Sequence, residues 1–67
     1  MTFTEALKVT EQQAKDTGQL LYLCENRQGY FISKNYYKDW LFRAYPGGRK
    51  EFSGGGRKIL WALGLID

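Results

Sequence analysis

Two copies of the tetrapeptide Gly-Gly-Arg-Lys are the clearest chemical signal in this 67-residue sequence. They occupy residues 47–50 and 55–58, and an aromatic-rich run from Tyr36 to Tyr45 precedes the first copy. Backbone N–H groups beside glycine and cationic side chains bind phosphate oxygens, while aromatic rings stack on bases. The pattern therefore indicates a surface for phosphates and bases, which is typical of nucleic-acid recognition.

The candidate site residues form two chemical groups. The cationic group, which would neutralise phosphate charge, is Arg43, Arg49, Lys50, Arg57 and Lys58. The aromatic group, which would stack on bases or anchor a protein interface, is Tyr36, Tyr37, Trp40 and Tyr45. We expect the two Gly-Gly-Arg-Lys copies to flank the last strand of a sheet, where they would contact more than one phosphate.

The same residues also have a purely structural interpretation. Glycines permit turn geometry, and basic residues beside turns are solvated and discourage edge-to-edge pairing of sheets. The sequence contains no RRM-type aromatic motif, helix-turn-helix pattern or zinc-finger spacing. The nucleic-acid hypothesis therefore depends on charge and aromatic residues alone.

The positive charge belongs to the second part of the chain. The whole sequence has a net charge of +3. Residues 1–19 contain two basic and three acidic side chains, whereas residues 20–67 contain eight basic and four acidic ones. A polyanionic partner would therefore be expected to meet residues 20–67.

The usual residues for catalysis and metal binding are scarce. There is no histidine, so the commonest general base and the common zinc ligand sets are missing. The lone Cys24 lies in an apolar run, where a thiol is buried and inert, and no internal disulfide can form. The carboxylates show no hydrolase or metal-cluster spacing, and no Walker A order occurs. We expect a non-enzymatic protein without cofactor or metal.

The sequence also predicts where the protein resides. It contains no apolar run of about 18 residues, and its N-terminus lacks the basic-then-apolar order of a signal peptide. A single thiol fits a reducing compartment. We expect a soluble, cytoplasmic protein with no membrane partner.

The chain length predicts one small domain over residues 1–67. Its N-terminal part has the pattern of an amphipathic helix over residues 3–16, with apolar residues at helical spacing. Thr2 and Glu5 have the spacing of a capping box, and Gly18 provides a stop.

Two strands are expected next. Residues 19–25 contain an apolar run that predicts a central strand buried on both faces. Asn26 and Gly29 bracket a turn, and residues 30–33 form the returning strand of a hairpin.

Residues 34–45 allow two interpretations. As a helix capped by Ser33, the segment would align Tyr37, Trp40, Leu41 and Ala44 on one face. As a strand, residues 40–45 would lead through a type II turn at residues 45–48 into a strand over residues 49–52. We favour the strand, because a second hairpin extends the first into a sheet that a helix can cover.

The C-terminal part completes an α+β fold. We expect a flexible joint at residues 53–56 and a short helix over residues 57–63 that ends at Gly64. Ile59, Leu60 and Leu63 would face the core, and residues 65–66 would dock on it. The predicted fold is an N-terminal helix on a small antiparallel sheet of three or four strands, with a short C-terminal helix.

Two other partners remain open at this point. The aromatic run could anchor the chain on a larger host protein, as a small inhibitor or adaptor of the type that phages and mobile elements encode. An open sheet edge and surplus apolar rings would also allow a homodimer. Phosphate binding weakens steeply with salt, whereas an aromatic protein interface is less sensitive, so ionic strength separates the first two possibilities.

Overall fold

The structure is a computed structural model that describes residues 1–65, and its elements form the predicted α+β fold. An N-terminal helix precedes a four-stranded antiparallel sheet and a short C-terminal helix. The elements are α1 (Phe3–Thr17), β1 (Leu21–Asn26), β2 (Gly29–Ser33), β3 (Phe42–Ala44), β4 (Lys50–Phe52) and α2 (Gly54–Ala62).

Helix α1 begins at the predicted capping box. The Thr2 hydroxyl accepts a hydrogen bond from the Glu5 N–H at 3.1 Å, and the Thr2 N–H donates to the Glu5 carboxylate at 3.2 Å. These two bonds satisfy backbone donors that the first turn leaves unpaired. Gly18 ends the helix in the left-handed conformation, with φ of 67°.

The strand order is β2-β1-β3-β4, so β1 is central as predicted. Residues 21–24 of β1 are all buried, which confirms burial on both faces. Opposite residues on neighbouring strands share a face of the sheet. Leu23, Ile32, Phe42 and Phe52 are in register on the face that packs on α1, and we call the opposite side the outer face.

Residues 34–41 connect β2 to β3 without forming a helix, so the helical interpretation of this segment is wrong. The strand interpretation is confirmed, although β3 includes only Phe42–Ala44. Because β2 and β3 lie on opposite sides of β1, the connection has to cross that strand. It does so over the outer face, where Tyr36 and Trp40 pack edge-on against Tyr22.

The second hairpin turns at residues 45–48, where the Gly48 N–H donates to the Tyr45 carbonyl at 3.1 Å. The prediction of a type II turn is wrong. That turn needs positive φ at Gly47, whereas the positive φ, 102°, belongs to Gly48.

The predicted flexible joint at residues 53–56 is also wrong, because these residues begin α2. The Ser53 hydroxyl caps the helix by accepting from the Gly56 N–H at 3.1 Å. A Cβ atom on Gly56 would overlap the carbonyl of Leu41. Gly56 therefore permits close packing of the helix on the chain before β3, rather than flexibility.

The C-terminal residues pack less closely than expected. Leu60 is buried and Ile59 is half-buried, but Leu63 and Leu65 are 55% and 54% exposed. The expectations that Leu63 faces the core and that Leu65 docks on it are therefore wrong, and Ile66 lies outside the described residues. Neither described helix has the length and hydropathy to cross a bilayer.

Candidate functional site

The outer face of the sheet is where the predicted aromatic and cationic residues meet. The strand register places Tyr22, Ser33, Arg43 and Glu51 in one row on this face, because Tyr22 pairs with both Ser33 and Arg43, and Arg43 pairs with Glu51. The connection over residues 34–41 adds aromatic rings on top of the row.

Glu51 is the polar centre of the outer face. Its Oε1 atom accepts hydrogen bonds from Arg43 Nε and from the Tyr45 hydroxyl, both at 2.8 Å. Its Oε2 atom lies 3.3 Å from an Arg49 guanidinium nitrogen. The hydrogen bond from Tyr45, followed by that from Arg43, lowers the pKa of Glu51, and the same carboxylate raises the pKa of Tyr45.

Both arginines of this cluster also stack on aromatic rings. The Arg43 guanidinium lies 4.7 Å from the centroid of the Trp40 ring, and Arg49 lies 5.1 Å from that of Tyr45. Their side chains differ in access to solvent, with 27% exposed for Arg43 and 71% for Arg49. Arg43 is therefore largely enclosed by its neighbours, whereas most of the Arg49 side chain is accessible to solvent.

Two further rings lie in the connection and remain accessible. Tyr36 is 67% exposed and packs against Tyr22 with 5.8 Å between ring centroids. Tyr37 is 41% exposed and packs against Phe31 at 5.6 Å. Each exposed ring is thus supported by a ring on the sheet, which limits the conformational entropy that it would lose on stacking with a ligand.

The five predicted cations do not form one patch. Arg43 and Arg49 share the outer face with the four predicted aromatic residues, Tyr36, Tyr37, Trp40 and Tyr45. Lys50 pairs with Ala44 on the helix-packed face, where its Nζ atom lies 2.9 Å from Glu11 of α1. Arg57 and Lys58 are exposed on α2 and form no ion pair within residues 1–65.

The second glycine run meets the aromatic run in a groove of about 420 Å³. Its lining includes Lys38, Asp39, Trp40, Gly54 and Gly55. The N–H groups of Gly54 and Gly55 belong to the first turn of α2 and have no partner within the helix. The groove therefore lies between the start of α2 and Trp40 at the border of the aromatic surface. Lys38 and Asp39 contribute opposite charges to its lining, so the two side chains add no net charge.

The sequence alone did not single out Glu51 or Trp61. Glu51 is the acceptor of the outer-face cluster, and its place in strand register with Arg43 depends on the pairing of β3 with β4. Trp61 is 69% exposed on α2, one turn after Arg57. The exposure of Trp61 could have been predicted from helical spacing, because Trp61 does not share the face of α2 that buries Gly56 and Leu60.

A second surface of different character lies beside α1 and α2. It is an apolar groove of about 520 Å³ between the start of α1, the end of α2 and strand β2. Burial raises the pKa of the Tyr30 phenol on its wall. Its apolar lining is Met1, Phe3, Tyr30, Ile59, Leu63 and Leu65.

Side chains suited to metal binding or nucleophilic chemistry are not grouped in the described part of the chain. Within residues 1–65, no three Cys, Asp or Glu side chains converge as metal ligands. Cys24 is fully buried in β1, and desolvation raises the pKa of its thiol, which disfavours the reactive thiolate. No protein-family model, curated protein or solved structure matches this chain.

Proposed function

We propose that this protein is a non-enzymatic domain that binds single-stranded nucleic acid through the outer face of its sheet. The observation that supports this function is the gathering of Tyr36, Tyr37, Trp40 and Tyr45 on one face together with two arginines. Aromatic rings on a sheet face stack on unpaired bases, and nearby cations contact the phosphates.

The exposed rings favour a single strand over a duplex. Bases within a duplex are stacked on one another, so their faces are closed to side chains. Tyr36 and Tyr37 are held on the sheet by Tyr22 and Phe31, and they do not extend from a helix that could enter a major groove. Stacking on these two rings is therefore the main source of affinity in this proposal.

Phosphate contacts would come from the border of the aromatic surface. Arg49 is well exposed, and its interaction with Glu51 is long enough to exchange for a phosphate. On the other side, Gly54 and Gly55 line the groove beside Trp40, and their N–H groups have no partner within α2. Of the two Gly-Gly-Arg-Lys copies, the first would thus contribute a side chain, Arg49, and the second a backbone donor, that of Gly55.

Fluorescence anisotropy of labelled oligonucleotides tests the proposal. Single strands should bind more tightly than duplexes, and affinity should fall between about 50 and 200 mM salt. Tyr36→Ala and Tyr37→Ala should each weaken single-strand binding by about 5- to 150-fold, which corresponds to about 1–3 kcal/mol per stacked base.

Trp61→Ala is the matched control, because it removes an exposed ring from α2 and leaves the outer face intact. Equal losses in the Trp61 and Tyr36 variants would contradict the assignment of the binding face. If neither single strands nor duplexes bind at about 50 mM salt, the proposed nucleic-acid-binding function is wrong.

A protein partner is the second candidate function, and the apolar groove beside α1 and α2 favours it. Three side chains that line this groove are large, apolar and more than half exposed. They are Met1, Leu63 and Leu65. A small inhibitor or adaptor acting through this surface would bind its host protein with little dependence on salt, and affinity capture at high salt would detect it.

A further inference from the structure

We propose that strand β2 pairs antiparallel with β2 of a second copy of this chain, so that two four-stranded sheets become one. The strand order gives β2 a single neighbour, β1, and leaves its other edge unpaired within the described residues. This inference concerns self-association and holds whether or not the protein binds nucleic acid.

The β2 edge lacks the features that usually prevent sheets from joining. Proteins protect edges with charged residues, proline, bulges or very short strands. Strand β4, at the other edge, has three residues and includes Lys50 and Glu51. Strand β2 has five residues, Gly-Tyr-Phe-Ile-Ser, with no charge and no proline, and it pairs with β1 without a bulge.

The free backbone groups of this edge belong to Tyr30 and Ile32. The Leu41 N–H donates to the Leu23 carbonyl at 2.8 Å, which shows that Leu23 points its backbone groups away from β2. Its neighbours in β1 therefore bond to Phe31 and Ser33. The alternation of an antiparallel ladder then directs the N–H and C=O groups of Tyr30 and Ile32 to the open edge.

The edge is complementary to itself. A two-fold axis at Phe31 places each Tyr30 opposite the Ile32 of the other copy, and aromatic rings paired with β-branched residues stabilise antiparallel sheets. The nearest charges, Arg27 and Lys34, would then face the neutral Asn35 and Gln28. No like charges oppose each other in this register.

The pairing would extend both faces of the molecule. Phe31 lies on the outer face beneath Tyr37, so the two aromatic surfaces would become continuous across the axis. On the opposite face, Tyr30 borders the apolar groove, and pairing would bring the two grooves close to the same axis. A chain of this size gains buried apolar area that its own core cannot supply.

Sedimentation equilibrium in the absence of nucleic acid tests the inference. The protein should change from monomer to dimer between about 10 μM and 1 mM, which covers the range of weak association. Phe31→Lys should keep the chain monomeric, because two like charges would meet at the axis. Trp61→Lys is the matched control, because it replaces an exposed ring on α2 with the same charge and leaves β2 unchanged, and it should still dimerise.

Amide hydrogen exchange gives a second readout if Phe31→Lys fails to fold. Exchange at Tyr30 and Ile32 in the unmodified protein should slow several-fold as concentration rises, while exchange in β4 should not change. A monomeric mass over the whole range would overturn the inference. So would a dimer in which the amides of Tyr30 and Ile32 exchange at the monomer rate, because another surface would then form the contact.

Discussion

Glu51 determines how the cations of the outer face are held. Its carboxylate accepts hydrogen bonds from Arg43 and Tyr45, and it also interacts with Arg49. Arg43 is partly shielded and in turn lies over Trp40. One acidic residue therefore orients Arg43, Tyr45 and Arg49, and in the proposed binding mode it competes with phosphate for Arg49.

The lowered pKa of Glu51 predicts a dependence of stability on pH. Because the folded-state pKa lies below the unfolded one, its stabilising effect is complete above the ordinary glutamate range and is lost as pH falls through the folded pKa. Glu51→Gln should therefore unfold at lower urea concentration than the unmodified protein near neutral pH. The difference should shrink at acidic pH, as the carboxylate becomes protonated on passing through its folded-state pKa.

Glu25→Gln is the control for this measurement. Glu25 is exposed in β1 and forms no ion pair within the part of the chain that the structure describes. Its substitution should change stability little at either pH. A Glu51→Gln variant with a pH profile parallel to that of the unmodified protein would show that the carboxylate does not stabilise the fold through its charge.

The position of α2 depends on its first turn. Ser53 caps the helix, and its N–H and hydroxyl both donate to the Leu41 carbonyl, at 3.1 and 3.3 Å. Gly56 packs directly against the same peptide group. The helix is thereby joined to the start of β3 by backbone contacts, and Leu60 is buried in the core one turn later.

These contacts predict opposite effects for two glycine substitutions two residues apart. Gly56→Ala should lower the free energy of unfolding by about 1–3 kcal/mol, because the added methyl group meets backbone that cannot yield easily. Gly54→Ala adds its methyl group to open space and should be neutral or stabilising by up to about 1 kcal/mol, since alanine favours helix. Urea denaturation of both variants measures the difference, and equal stabilities would refute the close contact.

The two sides of the sheet give neighbouring cations different environments. Arg49 lies over Tyr45 on the outer face, whereas Lys50 joins β4 to α1 through Glu11. The molecule therefore has one aromatic and cationic side, which we propose as the ligand-binding side, and uses the other side for packing. Adjacent positions in the sequence thus acquire separate roles.

This division predicts different results for two substitutions at adjacent positions. Arg49→Glu should weaken single-strand binding and reduce the slope of log affinity against log salt by about 1, as expected for one lost phosphate contact. Lys50→Glu makes the same change of charge on the opposite side and should leave that slope nearly unchanged. Anisotropy titrations over a salt series measure both, and thermal melts check that each variant is folded. Identical slopes in the two variants would place the binding surface elsewhere.

Features that depend on neighbouring residues were predicted well from the sequence. The capping box of Thr2 and Glu5, the stop at Gly18 and the burial of Cys24 in a central strand are all confirmed. The same holds for the turn that ends at Gly29. Hydrogen bonds between residues two to four positions apart and the length of an apolar run are sufficient to specify such features.

The remaining features required contacts between distant parts of the chain. The glycine run over residues 54–56 is compatible with a flexible joint or with a helix that packs closely on its neighbour. The structure has the helix, and the Leu41 carbonyl explains the glycine at position 56, because it leaves no room for a Cβ atom there. The crossing of residues 34–41 over β1 follows from the strand order, which no local pattern encodes. Pairing of β3 with β4 then selects Arg43 and Arg49 for the outer face and directs Lys50 towards α1. Residue types thus predicted which chemistry was available, and the pairing of strands determined which of those residues act together, because a side chain's face depends on register.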